Sequence, residues 1–234
     1  MKVVFRVDAS IQIGTGHVVR CLALAEGLRR HNVECVFLTK NHKGHSLDLI
    51  KQNGFSALLL PNSENDYRPK KKDPEHSLWL GCDWEKDSDE VRLFLSSASV
   101  DLLIVDHYSI DFRWERSLRN LVERIMVIDD LADRVHDCDI LLDQNYYKNQ
   151  KNRYVEKVPN HCAMMIGPRY ALLREEFKYA HKKVKTRRGR VKRIFVFFGG
   201  VDKDQYTLRF VRILKEFRFL KIHVDFIVGS QNPS

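Results

Sequence analysis

The sequence predicts an α/β fold, a doubly wound parallel sheet followed by the opening of a second unit of the same design. Three observations carry this reading. An apolar strand runs into a glycine-rich bend and then a helix at residues 2–28; strands and helices alternate after it with short connections; and strand, glycine turn and helix recur at residues 192–217.

Each element follows from local pattern. Lys2-Val3-Val4-Phe5-Arg6-Val7 is a short buried strand, the glycines break it, and Val18, Leu22, Ala25 and Leu28 return at helical spacing. Residues 33–38 form a second strand, Ser46 to Asn53 a short helix closed by Gly54, and Phe55 to Leu60 a third strand ended by Pro61. The polar stretch Asn62 to Pro74, with three consecutive lysines and two prolines, is an exposed loop. Asp87 to Ser97 is helical, and residues 102–105 are a strongly buried strand ending in Asp106-His107-Tyr108. Trp114 to Arg124 is a helix, residues 125–128 a strand ending in Asp129-Asp130, and residues 140–142 a strand ending in Asp143-Gln144-Asn145. Beyond a polar segment, Lys192 to Phe198 is a strand, Gly199-Gly200 a turn, Asp204 to Phe217 a helix and Ile222 to Val228 a strand. Domain boundaries follow: a first domain over 1–150, a connecting segment over 151–190, and an incomplete second domain over 191–234. The last of these has too few elements to close by itself.

The chemistry concentrates at strand ends. A glycine bend feeding a helix presents backbone N–H groups and a positive helix end to an anionic ligand, and Gly14 and Gly16 let a sugar or phosphate approach the backbone. His17 falls at the start of that helix, where the dipole favours an uncharged ring able to act as a general base. Ligands of open parallel sheets collect at the carboxyl ends of strands, which makes Asp106 a candidate to orient a neighbouring group and Tyr108 a candidate hydroxyl donor to a sugar. His107 reads as an ordinary loop histidine. Asp129 and Asp130 point opposite ways on an extended chain, so capping and loop hydrogen bonds fit them better than a metal or an acid/base pair. Asn145 either contacts ligand or holds its turn. A dinucleotide fingerprint fails because Val19 stands where glycine or alanine is needed, and no Gly-Lys-Ser/Thr loop is present.

Composition bounds the rest. The 234 residues are 44% hydrophobic, enough for one good core and part of a second. Forty basic residues against 31 acidic give +9, which suits an anionic ligand. Much of the excess lies in Lys178 to Arg193, where only Tyr179 interrupts the charge, so a solvated linker or helix end fits better than a nucleic-acid surface. The five cysteines are scattered without a Cys-x-x-Cys pair and read as reduced thiols, with neither disulfide framework nor zinc site. No leader and no membrane-length apolar run is visible, so a cytoplasmic protein without membrane insertion is expected. The terminal Gly229-Ser230 resembles another strand-end turn, as if a longer chain had been cut.

Taken together in order, several stretches resemble the PseG family, the UDP-sugar hydrolases of pseudaminic acid biosynthesis. They are residues 6–10 and 13–21, Trp79-Leu80-Gly81 with Asp87, Val105-Asp106-His107-Tyr108, Ile128-Asp129-Asp130-Leu131-Ala132, 136–145, 167–177, and Gly199-Gly200. The resemblance implies a glycosyltransferase-B-like architecture of two Rossmann-like domains, the second truncated here, related in shape to the transferase MurG. It implies hydrolysis of a UDP-linked 2,4-diacetamido-2,4,6-trideoxy-β-L-altropyranose at the anomeric carbon with inversion, without metal or other cofactor and without a nucleic-acid partner. His17 falls on the family's catalytic histidine and Tyr108 on its site tyrosine. Gly14, Gly16, Asn145, Gly199 and Gly200 complete the expected substrate contacts. The competing readings are a nucleotide-sugar transferase of the same fold and a non-catalytic sugar-nucleotide binding subunit.

Overall fold

The computed structural model describes the chain except residues 62–66, 187, 201, 203, 218–220, 230, 231, 233 and 234. It divides into two units, Met1–Lys178 and Tyr179–Ser234.

The first unit is a seven-stranded, wholly parallel sheet. Its strands are β1 (Lys2–Val7), β2 (Glu34–Lys40), β3 (Ser56–Leu60), β4 (Val100–Asp106), β5 (Val122–Ile128), β6 (Ile140–Asp143) and β7 (Ala163–Ile166). The order β3-β2-β1-β4-β5-β6-β7 reverses direction between β1 and β4. Such strands are buried on both faces, which is why they read as continuous apolar runs. On one face Val3, Phe5 and Val7 pack with Val18, Cys21, Leu22 and Ala25 of α1 (Gly16–Arg29) and Ile50 of α2 (Leu47–Gln52). On the other, Val4, Leu103 and Val105 pack with Val91 and Leu95 of α3 (Trp84–Leu95) and Trp114 and Leu118 of α4 (Phe112–Leu118).

The main departures from expectation lie at element ends. The helix expected to reach Arg124 stops at Leu118, passes through a short 3-10 turn at Arg119–Leu121, and gives way to β5 at Val122. There Val122 and Arg124 already pair with Val100 and Leu102, and the ladder's hydrogen bonds outweigh local helix preference. The helix expected from Asp87 begins at Trp84, one turn earlier. The segment 151–190, expected to be a connection, supplies β7, which pairs with β6 in register Ile140 to Ala163. Of the loop expected over Asn62 to Pro74, residues 62–66 lie outside the described residues; 67–74 have no helix or strand.

The second unit holds α5's last turns (α5, Glu175–Lys183), β8 (Arg193–Val196), α6 (Tyr206–Leu214) and β9 (His223–Phe226), with β8 and β9 parallel. Asp202 caps α6 by accepting from the Tyr206 and Thr207 N–H groups, 2.9 Å each. Phe210 packs between Phe198 and Phe226, with centroids 6.1 Å from each. Gly199 has φ +91°, a left-handed conformation suited to glycine, and Gly200 follows it in the turn after β8. The basic run is exposed where described, with Arg187 outside the described residues, as is Ser230 of the terminal turn.

Candidate active site

The sheet's reversal between β1 and β4 opens a crevice at their carboxyl ends, the position where ligands bind in open α/β sheets. The bend between β1 and α1 stands on one side and Asp106-His107-Tyr108 on the other. Gly14 has φ +76°, and its N–H donates to the Ser10 carbonyl at 2.8 Å, closing the bend. Gly16 needs no unusual backbone angle, and a methyl added there would meet open space, so what it leaves is room at the helix start. Thr15 makes no side-chain cap, so the first N–H groups of α1 are left to an external acceptor.

His17 is buried, with 10% of its side chain exposed. Its Nδ1 lies 2.6 Å from Asp106 Oδ1. The carboxylate can only accept, so this shorter contact puts the ring proton on Nδ1 and leaves a lone pair on Nε2; Arg20 Nη2, a donor, also stands 3.1 Å from Nδ1 but at the longer distance. Arg20, one helical turn on, clamps Asp106 with Nε and Nη2, each at 2.6 Å. Burial by itself would raise the Asp106 carboxyl, but the His17 ring and the Arg20 guanidinium override it and hold the group well below the usual carboxylate range. Where the sequence reading leaned on the helix dipole alone, the structure adds a fixed anion and a fixed cation beside the ring. Cys21 Sγ lies 3.4 Å from Asp106 Oδ2.

Asp130 is the second centre. Arg20 Nη1 reaches it at 3.2 Å, Asn145 Nδ2 at 3.1 Å, and the Tyr108 hydroxyl donates to it. The Tyr108 proton expected to serve a sugar is thus held by a carboxylate, and burial followed by Asp130 raises the phenol well above its ordinary range. Asn145 holds its turn by donating its backbone N–H to Asp143 at 3.0 Å and also faces Asp130. Asp129 does what was expected of both acids: it accepts from the Ala132 N–H at 2.9 Å and from Tyr154 at 3.0 Å, inside the protein.

His107 departs from the reading of an ordinary loop histidine. It is buried, its Nδ1 accepts from the Ser109 N–H at 3.1 Å, and its Nε2 lies 3.1 Å from Asp8. Asp8 belongs to an ion network beneath the bend. Arg6 holds Asp8 with Nη1 at 2.6 Å and Asp87 with Nη2 at 2.7 Å, and Lys40 lies 3.3 Å from Asp87 and 2.6 Å from Glu90. The first three side chains and that of Lys40 are fully buried. This network locks the end of β1 to α3.

Sequence reasoning had no role for Arg20, His76 or Trp79, and gave Asp130 only capping and loop hydrogen bonds. Arg20 was legible in principle, three residues from His17 on the same helical face. Trp79 was not, because it comes to the site from a 3-10 turn remote in sequence. Its ring lies against His76 at 4.6 Å and Tyr108 at 5.8 Å, and Tyr108 meets His17 edge-on at 4.6 Å. The site thus gathers His17, Gly14, Gly16, Tyr108 and Asn145 in the first unit; Gly199 and Gly200 belong to the second. Among the described residues no group of three or more histidine, cysteine or acidic side chains is arranged to hold a metal ion.

With this geometry in place, the comparisons fall into line. Over its full length the chain is 29% identical to the UDP-2,4-diacetamido-2,4,6-trideoxy-beta-L-altropyranose hydrolase of Campylobacter jejuni, spanning 72% of that protein. The resemblance to the PseG hydrolases holds from end to end. An uncharacterized protein of Methanocaldococcus jannaschii is 25% identical over 96% of the chain, which spans 42% of that relative, less than half its length. No protein-family model matches the chain. Acinetobacter baumannii MurG superposes with a TM-score of 0.55 at 13% identity, covering 97% of this chain and 59% of MurG. Arabidopsis thaliana UGT89C1 solved with UDP gives 0.54 at 14% identity, covering 92% and 63%. These likenesses establish a glycosyltransferase-B-like α/β fold. No described helix is long and apolar enough to cross a membrane.

Proposed function

We propose that this chain supplies the catalytic part of an enzyme hydrolysing a UDP-linked 2,4-diacetamido-2,4,6-trideoxy sugar, a step of pseudaminic acid biosynthesis. The observation that carries the reading is the 2.6 Å contact between His17 Nδ1 and Asp106 at the sheet's switch point. It leaves Nε2 free to take a proton from water while that water attacks the anomeric carbon. UDP departs from the opposite face, which inverts the configuration. Asp106 then faces an imidazolium and stabilises it, as Arg20 keeps that carboxylate ionised and in place. A diphosphate is a good leaving group, and the uncapped start of α1 offers N–H donors to developing negative charge. Tyr108 and Asn145 act through Asp130 to set the wall beside the imidazole. Gly199 and Gly200 are assigned to the diphosphate side. The full sequence similarity to the Campylobacter hydrolase supports the substrate class.

A transferase reading is favoured by the MurG and UGT89C1 folds, in which an acceptor hydroxyl would replace water. Incubating the intact protein with the UDP-sugar and no acceptor separates the two. Release of UDP and free sugar, lost in His17→Asn, is the expected result. Turnover only when an acceptor is added overturns the hydrolase, and turnover unchanged in His17→Asn removes that imidazole from the chemistry.

A further inference from the structure

A cleft of about 480 Å³ opens beside the glycine bend, wholly within the first unit, a size within the roughly 300–1,000 Å³ of small-molecule sites. Ser10, Ile11 and Gln12 of the bend form one wall, and Tyr67, Leu78 and Trp79 another. His17 does not line this cleft; a chain of ring contacts joins the two, with Trp79 lining the cleft, Tyr108 against Trp79, and His17 edge-on to Tyr108. We infer that this cleft seats the acetamido and deoxy face of the substrate sugar, with Trp79 as its stacking platform and determinant of sugar specificity.

The inference rests on the hydrolase reading above and extends it to the choice of sugar. Three features point to a sugar bearing methyl groups. The half-buried indole, Tyr67 and the exposed side chains of Ile11 and Leu78 make a surface suited to an acetamido methyl and to the methyl left where a 6-hydroxyl is missing. Polar groups come from the bend and from the loop after β2, where His42 and Lys43 line the cleft: the exposed Gln12 amide can both donate to and accept from an acetamide, while Ser10 Oγ accepts from the Gln12 and Ile13 N–H groups at 3.1 and 3.0 Å. Among the described lining residues Lys43 is the one lysine, a thin complement for a diphosphate, which argues against the pyrophosphate as occupant.

The walls are also held in place, as a discriminating site requires. The Ile11 N–H donates to the Lys43 carbonyl at 3.1 Å, tying the bend to the loop after β2. Trp79 is braced by His76 at 4.6 Å with ring planes 21° apart, and the turn carrying both is tied to the strand-end loop by the Ser109 hydroxyl, which donates to the His76 carbonyl at 2.5 Å.

Calorimetric titration of the intact UDP-sugar and of UDP alone tests this, using the intact protein in a His17→Asn background so that no turnover intervenes. Trp79→Ala is expected to weaken binding of the UDP-sugar at least tenfold and to leave UDP binding within twofold. Trp79→Phe, which keeps an aromatic face, is expected to stay within threefold of the parent for both. Leu78→Trp, a change at an exposed position that narrows the cleft without touching the platform, is expected to weaken the UDP-sugar selectively. Unchanged UDP-sugar affinity in Trp79→Ala, or equal losses for UDP-sugar and UDP, overturns the assignment. The hydrolase reading fails by a different measurement, absence of free sugar from the protein with His17 intact, so the two failures are distinguishable.

Discussion

His17 Nδ1 and Asp106 Oδ1 stand 2.6 Å apart although 89 residues separate them, one at the start of a helix and the other at the end of a strand. Asp106→Asn keeps the shape but can present its amide N–H to the ring, forcing the proton onto Nε2. A base so masked is expected to lose roughly 10²–10⁴-fold in kcat with KM little changed. Steady-state kinetics on the UDP-sugar checks this; a fall in kcat of less than about threefold means the tautomer does not matter.

Tyr108 offers a milder test. Tyr108→Phe retains the ring against Trp79 and His17 but removes the proton held by Asp130. Charged hydrogen bonds are worth about 1.5–3 kcal/mol, so kcat/KM is expected to fall roughly 10–100-fold. Tyr108→Ala, which also removes the ring, is expected to fall further; a Tyr108→Phe variant as active as the parent rules out a role for the hydroxyl, and equal losses in the two variants rule out one for the ring.

Beneath the site, Arg6 pairs with two buried carboxylates at once. Arg6→Met leaves Asp8 and Asp87 with their strongest partner gone, and breaking a buried pair in this way costs about 3–5 kcal/mol. Urea unfolding followed by circular dichroism should show that loss. Adding Asp87→Leu to Arg6→Met is expected to return part of it, because the second change removes one of the orphaned charges.

Stability is expected to be acid-sensitive in two stages. Burial pushes the His107 ring below its ordinary value, so the unfolded chain, with a histidine near pH 6.5, binds more protons in that range and stability drains as pH falls from about 6.5 toward the folded value. Asp8, Asp87 and Asp106 are held below the usual carboxylate range, against burial, by the cations around them. Their contribution is complete above about pH 4 and is lost as pH falls through their lowered folded values. Urea midpoints measured from pH 8 to pH 3 should decline below about 6.5 and more steeply below about 4. A midpoint that rises on acidification contradicts the assignment.

Gly44 joins the loop after β2 to the bend. It has φ +83°, and an added Cβ would sit 2.9 Å from Ile11 Cγ1 and 3.1 Å from the Ile11 nitrogen. Gly44→Ala is expected to cost about 1–3 kcal/mol and to raise KM by displacing a wall of the cleft. Thermal unfolding with steady-state kinetics checks both parts; an unshifted melting temperature means the loop yields freely.

Much of this was legible from residue pattern. The opening strand, glycine bend and helix, the buried 102–105 strand and the polar strand ends all follow from burial on both faces of a parallel sheet, and they place His17, Asp106 and Tyr108 at one edge. Less legible were β7 and the early end of α4, because sheet pairing outweighed local preference at Val122 and at Ala163. His107 stands in the loop after β4, as expected, but is buried there for a related reason: its partner, Asp8, just beyond the end of β1, is remote in sequence. Two adjacent acids, Asp129 and Asp130, looked alike in sequence, yet their opposite directions on an extended chain sent one into the protein and the other to Arg20, Tyr108 and Asn145.

The sequence by itself determined the class of sheet, the bend that frees a helix end, and the imidazole placed upon it, since these depend on periodicity and on the conformational range of glycine. Only the tertiary structure decided which charges flank that imidazole and which aromatic ring walls the cleft. Hydrogen bonds of 2.6 Å and ring contacts of about 5 Å join residues dozens of positions apart, and no local pattern encodes which strand ends will meet.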